Sequence, residues 1–114
     1  MARPLRQEDA EATVVKSHER VDLRALPAGT RVVVETRNSR YSLVMKDAGG
    51  CHAIAMGGRY CPKETDVEIH GSTLGGSLIS FGWIGLGWLI ELSVHGKRIL
   101  TSRVRSIRVE PATV

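Results

Sequence analysis

Histidine and serine side chains with catalytic potential lie close together in the segment HGSTLGGS, residues 70–77. On an extended strand His70 and Ser72 share one face, because side chains two residues apart point the same way. Nucleophilic hydrolysis needs such a base beside a hydroxyl, together with an acidic group that orients the base. GSTLG lacks the G-x-S-x-G spacing of many serine hydrolases, and no aspartate is positioned by local sequence to orient His70. We therefore interpret both residues as polar groups on a solvated strand face, and we predict no catalytic residues and no enzyme activity.

The glycine and hydroxyl content of the same segment is also typical of anion-binding loops, whose main-chain N–H groups point at a phosphate. A P-loop requires G-x-x-x-x-G-K-[ST] between a strand and a helix. Residues 70–77 contain no lysine, and no helical pattern follows them. We therefore predict neither a P-loop nor a dinucleotide-binding loop.

The conceivable metal ligands are two cysteines and two histidines: Cys51, His52, Cys61 and His70. Structural zinc sites usually pair cysteines two to four residues apart, whereas these two are ten apart. We predict free thiols, no metal site and no cofactor. A disulfide between the two cysteines would form only in an oxidising compartment.

Positive charge is concentrated at the C-terminal end. The formal net charge is +4, and residues 1–92 contain eleven Lys or Arg and eleven Asp or Glu, so the excess lies after residue 92. In RILTSRVRSIRV (98–109), Arg103 and Arg105 fall on one strand face roughly 7 Å apart, a spacing similar to that of successive phosphates. The alternative is a solvated basic strand. The predicted polyanion-binding residues, with nucleic acid as the expected partner, are Lys97, Arg98, Arg103, Arg105 and Arg108.

Two further short motifs, RVDLR (20–24) and HGSTLG (70–75), are spaced as an R-x-x-x-R and an x-x-S-x-x-G pattern. Together they resemble in part the paired motifs of the cyclic-dinucleotide-binding PilZ barrels. His70 stands where that family has an acidic or amide residue. The resemblance implies nucleotide binding on a β-barrel as an alternative function.

An apolar, glycine-rich segment, SFGWIGLGWLIEL (80–92), contains both tryptophans. It is too short for a transmembrane helix, which needs about 20 apolar residues, and Glu91 interrupts it. Its large side chains are too many for the interior of one small domain, and an exposed apolar patch usually marks an interface. The predicted self-association surface of a homo-oligomer consists of Phe81, Trp83, Ile84, Leu86 and Trp88.

Short strands separated by turn residues must position all these groups. Residues 30–37 and 40–47 alternate apolar and polar side chains around a turn at Asn38-Ser39. Further strands are expected within 51–57, 66–72, 87–94 and 98–109. This pattern predicts an all-β fold. Closure of an antiparallel sheet into a small β-barrel, SH3-like or of similar size, would bury its apolar face and remove its edges.

With 114 residues, of which 42% are apolar and 25% charged, the chain has the composition of one soluble globular domain. We predict a polar N-terminal extension over residues 1–24, with a short helix at 7–16 or disorder, and a barrel domain over residues 25–114. The first residues lack the apolar core of a secretory signal. We therefore predict a cytoplasmic protein without a membrane span.

The order TRNSRY, GGRY, GSTLGGS, GWIGLG and TSRVRSI resembles that of short bacterial proteins of unassigned function, over residues of about 26 to 108. The resemblance implies a compact β-fold in a bacterial cytoplasm and carries no activity. We expect a non-enzymatic binding or assembly module, and the alternative is a nucleic-acid- or nucleotide-binding barrel.

Overall fold

Antiparallel β-strands make up nearly all the regular structure of the computed structural model, which describes residues 16–75 and 78–112. No α-helix occurs within these ranges, and a single 3₁₀ turn covers Leu23–Ala25. The all-β antiparallel prediction is therefore confirmed. The strands are β1 (Lys16–Ser17), β2 (Arg20–Asp22), β3 (Arg31–Thr36), β4 (Arg40–Met45), β5 (His52–Gly57), β6 (Cys61–Thr73), β7 (Ile79–Phe81), β8 (Trp83–Gly85), β9 (Leu89–Val94), β10 (Lys97–Leu100) and β11 (Val104–Glu110).

The strands form one long sheet and one short sheet. The long sheet has the order β1-β11-β3-β4-β5-β6-β9-β10, with β7 paired to β6, and the short sheet pairs β2 with β8. β1 and β10 are therefore the two end strands of the long sheet. Near the start of β11, the Val104 N–H donates to the Trp88 carbonyl at 2.9 Å, and the Gly87 N–H donates to the Val104 carbonyl at 2.8 Å.

Alternating side chains explain which face of each strand is buried. In β3, Val32 and Val34 are fully buried while Arg31 and Glu35 are exposed, as the period of two requires. The neighbouring strands β4, β6, β9 and β11 contribute the same kind of inward row, and the 3₁₀ turn adds Leu23. Together they form one apolar core.

Glycine allows the long strand β6 to change partners at its middle. The β6–β9 register shifts between Ile69 and Gly71, and Gly71 has a φ of 148°. A Cβ atom at this position would collide with the Ser80 carbonyl of β7. β6 pairs with β5 up to Glu68 and with β7 over its last three residues, while β9 pairs with β6 from Val67 to Thr73.

Residues 16–24, which the sequence analysis assigned to the extension, take part in the fold. β1 pairs with β11, and β2 pairs with β8. Val21 and Leu23 belong to the core. The rest of the predicted extension, including nearly all of the helix predicted over residues 7–16, lies outside the described residues. No helix within the described ranges is long and apolar enough to cross a membrane.

Candidate functional site

The two tryptophans line a small pocket between the short sheet and β6. The Arg20 guanidinium lies 4.7 Å from the centre of the Trp83 ring, a cation–π distance. The Ser72 hydroxyl, buried behind the ring, donates to the Trp83 carbonyl at 2.8 Å. The pocket has a volume of about 240 Å³ and is lined by Arg20, Ser72, Ser80, Trp83, Ile84, Gly85 and Trp88. We call it the tryptophan pocket.

Large apolar side chains close in sequence to the residues of this pocket are exposed at the protein surface. Phe81 is 70% exposed and Leu78 is 85% exposed, and Leu86 and Trp88 are also exposed. Trp83 is half-buried. Ile84, which the sequence analysis placed on the self-association surface, is fully buried. It belongs to the core because β8 alternates, with Trp83 outward and Ile84 inward.

The PilZ-like motifs come together only in part. Arg20 and Ser72 line the tryptophan pocket. Arg24 instead donates from its Nε to the Asp22 carboxylate at 3.0 Å. This hydrogen bond lowers the pKa of Asp22 below its usual value. One arginine and one serine of the paired motifs therefore share a pocket, and the second arginine is held beside an aspartate.

The five basic residues predicted to bind a polyanion have different partners in the structure. Lys97 lies on β10 beside a turn. On the same strand, Arg98 donates from its Nε to the Glu91 carboxylate at 2.8 Å. Arg103 donates to the Gly87 carbonyl at 2.7 Å. Arg105 and Arg108 lie on β11; Arg105 falls within the register shift between Val104 and Ser106, and Arg108 follows it.

Arginines from three strands gather on the outer face of β11, β3 and β4. Arg31, Arg40 and Arg108 line one depression of about 500 Å³ together with Ser42 and Met56. An adjoining depression, which shares Arg40, is lined also by Arg37 and Arg105. We call this surface the arginine face; its members are Arg31, Arg37, Arg40, Arg105 and Arg108. The sequence analysis missed Arg31, Arg37 and Arg40, because only strand pairing brings them beside the C-terminal arginines.

Two carboxylates, Glu35 and Glu110, also line the arginine face, but they pair loosely. The Arg31 Nε lies 3.7 Å from Glu110, and the Arg40 Nε lies 3.9 Å from Glu35. All of these side chains are partly exposed, so each pair contributes little energy. The arginine face therefore keeps a net positive charge that an incoming anion can neutralise.

A chain of polar side chains links β6, β9 and β10. The Ser93 hydroxyl lies 3.0 Å from His70 Nε2, and His70 Nδ1 lies 2.8 Å from Glu91 Oε2. Arg98 holds the other carboxylate oxygen of Glu91. The Glu91 side chain is only 5% exposed. We call these four residues the polar chain.

The charge of Glu91 depends on these contacts. Burial acts to raise the pKa of the carboxyl, but the hydrogen bonds from His70 and Arg98 outweigh it and lower the pKa below its usual value. Glu91 is therefore ionised at neutral pH and accepts from both neighbours. Sequence reasoning found His70 but not its partners, which lie 21 and 23 residues further along the chain.

The predicted free cysteines are a half-buried Cys51 and a buried Cys61. Burial raises the pKa of both thiols, so they are mostly protonated at neutral pH. Within residues 16–75 and 78–112, no three histidine, cysteine, aspartate or glutamate side chains are grouped as metal ligands.

Comparison with protein-family models, with curated proteins and with solved structures gives no match to this chain.

Proposed function

We propose that this protein is a binding and assembly module that forms a homo-oligomer through the tryptophan-rich segment, residues 81–90. The observation that carries the proposal is the exposure of Phe81, Leu86 and Trp88, the last of which lines the tryptophan pocket. Large apolar side chains are costly to leave in water, and exposed apolar patches are typical of protein interfaces. Aromatic anchors of this kind contribute a large share of binding energy when they are buried by a partner.

Three further features belong to the same proposal. The long sheet closes into a small barrel, which is supported by the main-chain hydrogen bonds that join Trp88 and Gly87 to Val104. The protein works in a bacterial cytoplasm, as the resemblance of residues of about 26 to 108 to short bacterial β-proteins implies. The two protonated, free thiols fit a reducing compartment.

The oligomer is tested by light scattering coupled to size exclusion over a range of protein concentrations. We expect a mass above that of the monomer, and we expect Phe81→Ser and Trp88→Ser each to weaken association by about tenfold or more. Met56→Ser, which removes an exposed apolar side chain from the arginine face, is the matched control and should leave the mass unchanged. A monomer at every concentration would contradict the proposal. Strong absorbance at 260 nm in the peak would instead indicate a bound nucleotide or nucleic acid.

A second candidate function is the binding of a polyanion such as single-stranded nucleic acid. The observation that favours it is the arginine face, where five guanidinium groups line two adjoining depressions with two loosely held carboxylates. Neutralisation of phosphates by arginine releases bound counterions, so such binding is strong at low salt and weakens as salt is added.

The polyanion proposal is tested by titrating a labelled single-stranded DNA oligonucleotide at several salt concentrations. Replacement of both Arg40 and Arg108 by alanine should weaken binding about tenfold or more and reduce the salt slope by about two. Replacement of both Lys97 and Arg103 removes the same charge from outside the arginine face. We expect a smaller effect from that pair. An equal or larger loss in the Lys97/Arg103 variant would argue against the arginine face as the site.

A further inference from the structure

We propose that Ser93, His70 and Glu91 form a nucleophile–base–acid triad that hydrolyses small esters, a function separate from the binding surfaces above. The two distances in the polar chain, 3.0 Å from the Ser93 hydroxyl to His70 Nε2 and 2.8 Å from His70 Nδ1 to Glu91 Oε2, are those of a hydrogen-bonded relay. The three residues come from two neighbouring strands, β6 and β9, so rigid elements hold the geometry.

The charge of Glu91 fixes the direction of the relay. An ionised carboxylate can only accept hydrogen bonds, so neutral His70 carries its proton on Nδ1 and donates it to Glu91 Oε2. The lone pair of Nε2 then faces the Ser93 hydroxyl and can accept its proton. This is the tautomer that a general base requires. Arg98 holds the far oxygen of Glu91 and so keeps the carboxylate oriented as a positioning residue.

The nucleophile is accessible to a small molecule. Ser93 is half-buried and lines an open depression of about 340 Å³. Lys46, His52, His95 and Asp66 line the same depression, and the Lys46 Nζ donates to the Asp66 carboxylate at 2.6 Å. Because the depression is open and its lining residues form no deep pocket for a large acyl group, we expect activity on small activated esters.

The reaction proceeds in two balanced steps. In the first, the Ser93 oxygen bonds to the ester carbonyl carbon and its proton passes to His70 Nε2. The single bond between the carbonyl carbon and the alcohol oxygen then breaks, and the alcohol leaves with that proton. In the second, water attacks the acyl-serine, again losing a proton to Nε2. The acid is released as the proton returns to the Ser93 oxygen.

The proposal is tested with a fluorophosphonate probe, which is attacked by an activated serine with loss of fluoride, and the site of labelling is found by mass spectrometry of the intact full chain and its peptides. We expect labelling at Ser93 and none in Ser93→Ala. We also expect His70→Gln to slow labelling at least a hundredfold, the order of a lost general base. Hydrolysis of p-nitrophenyl acetate should fall in parallel.

The matched control is Ser106→Ala, since the Ser106 hydroxyl donates to the Glu35 carboxylate at 3.2 Å and so contacts an acid instead of a histidine. It should leave labelling and hydrolysis unchanged. If Ser93 reacts no faster than Ser106 in the wild-type protein, the proposal is wrong. The Ser93→Ala variant removes one surface-facing oxygen from a strand, so folding, checked by circular dichroism, is preserved. Binding to DNA and oligomer mass are measured on the same samples, so failure of the triad is distinguished from failure of the binding proposals.

Discussion

The buried carboxylate of Glu91 couples the stability of the protein to pH. Because His70 and Arg98 hold its pKa below the unfolded value, ionised Glu91 stabilises the fold above the unfolded pKa, and this contribution is lost as pH falls through the folded pKa. Replacement of Glu91 by glutamine removes the charge. It also leaves one of the two donors, His70 or Arg98, facing an amide NH₂ group that cannot accept its hydrogen bond. We expect a loss of about 1–3 kcal/mol in the free energy of unfolding at neutral pH. Urea unfolding followed by circular dichroism measures it.

The same variant should lose part of the acid sensitivity of the wild-type protein. Between neutral pH and about pH 3–4, where carboxyl groups protonate, the unfolding free energy of Glu91→Gln should fall less steeply than that of the wild type. The control is Glu68→Gln on β6, which removes an exposed carboxylate. Equal effects of the two substitutions, at neutral pH and in acid, would contradict a special role for Glu91.

The sequence indicated which side chains could do chemistry, but it did not indicate which residues those side chains contact. His70 was identified as the residue with basic chemistry, and Ser72 was its expected companion on a solvated face. In the structure Ser72 is buried and donates to the Trp83 carbonyl, while His70 contacts Ser93 and Glu91. The register shift beside Gly71 separates the environments of the two residues. A shift of this kind depends on the partner strand, so local alternation could not predict it.

At the scale of elements, long alternating strands were predictable and short ones were not. β3 and β4 fall within the predicted segments because apolar and polar side chains alternate over six residues. β1, β2, β7 and β8 have two or three residues each, too few for a period to be read. The positions of these short strands are set by the strands with which they pair. For example, β2 pairs with β8, and this pairing brings Arg20 over Trp83.

Strand pairing also changes the meaning of the charge distribution. Along the sequence, the excess positive charge lies after residue 92. In the fold, β11 pairs with β3, and β3 pairs with β4, so Arg108 and Arg40 line one depression. Arg98 is instead paired with the buried Glu91. The composition therefore predicted a basic surface, whereas the identity of the residues that form it required the strand order.

At the scale of the whole molecule, an open sheet and a closed barrel predict different behaviour of the long sheet. In an open sheet, the segment before β9 and the start of β11 would separate without disturbing β3 to β6. In a barrel, the hydrogen bonds of Val104 with Trp88 and Gly87 complete a ring of strands that runs through β11, β3, β4, β5, β6 and β9. Breaking those bonds then requires opening the core, in which Val104, Ile90 and Ile107 are packed.

Amide hydrogen exchange followed by NMR measures this directly. In a closed barrel these bonds are coupled to the core, so the barrel proposal predicts that the Val104 and Gly87 amides exchange only through global unfolding, with a protection free energy equal to that from urea unfolding and in the usual range of about 5–15 kcal/mol. The control amide is that of Asn38, which donates to the Ser102 hydroxyl in an exposed turn and should exchange through local opening. Protection of Val104 no greater than that of Asn38 would mean that the sheet opens at this seam. The segment before β9, with Trp88 at its end, would then move independently of β11, and the tryptophan pocket would have no fixed shape to present to a second copy of the chain.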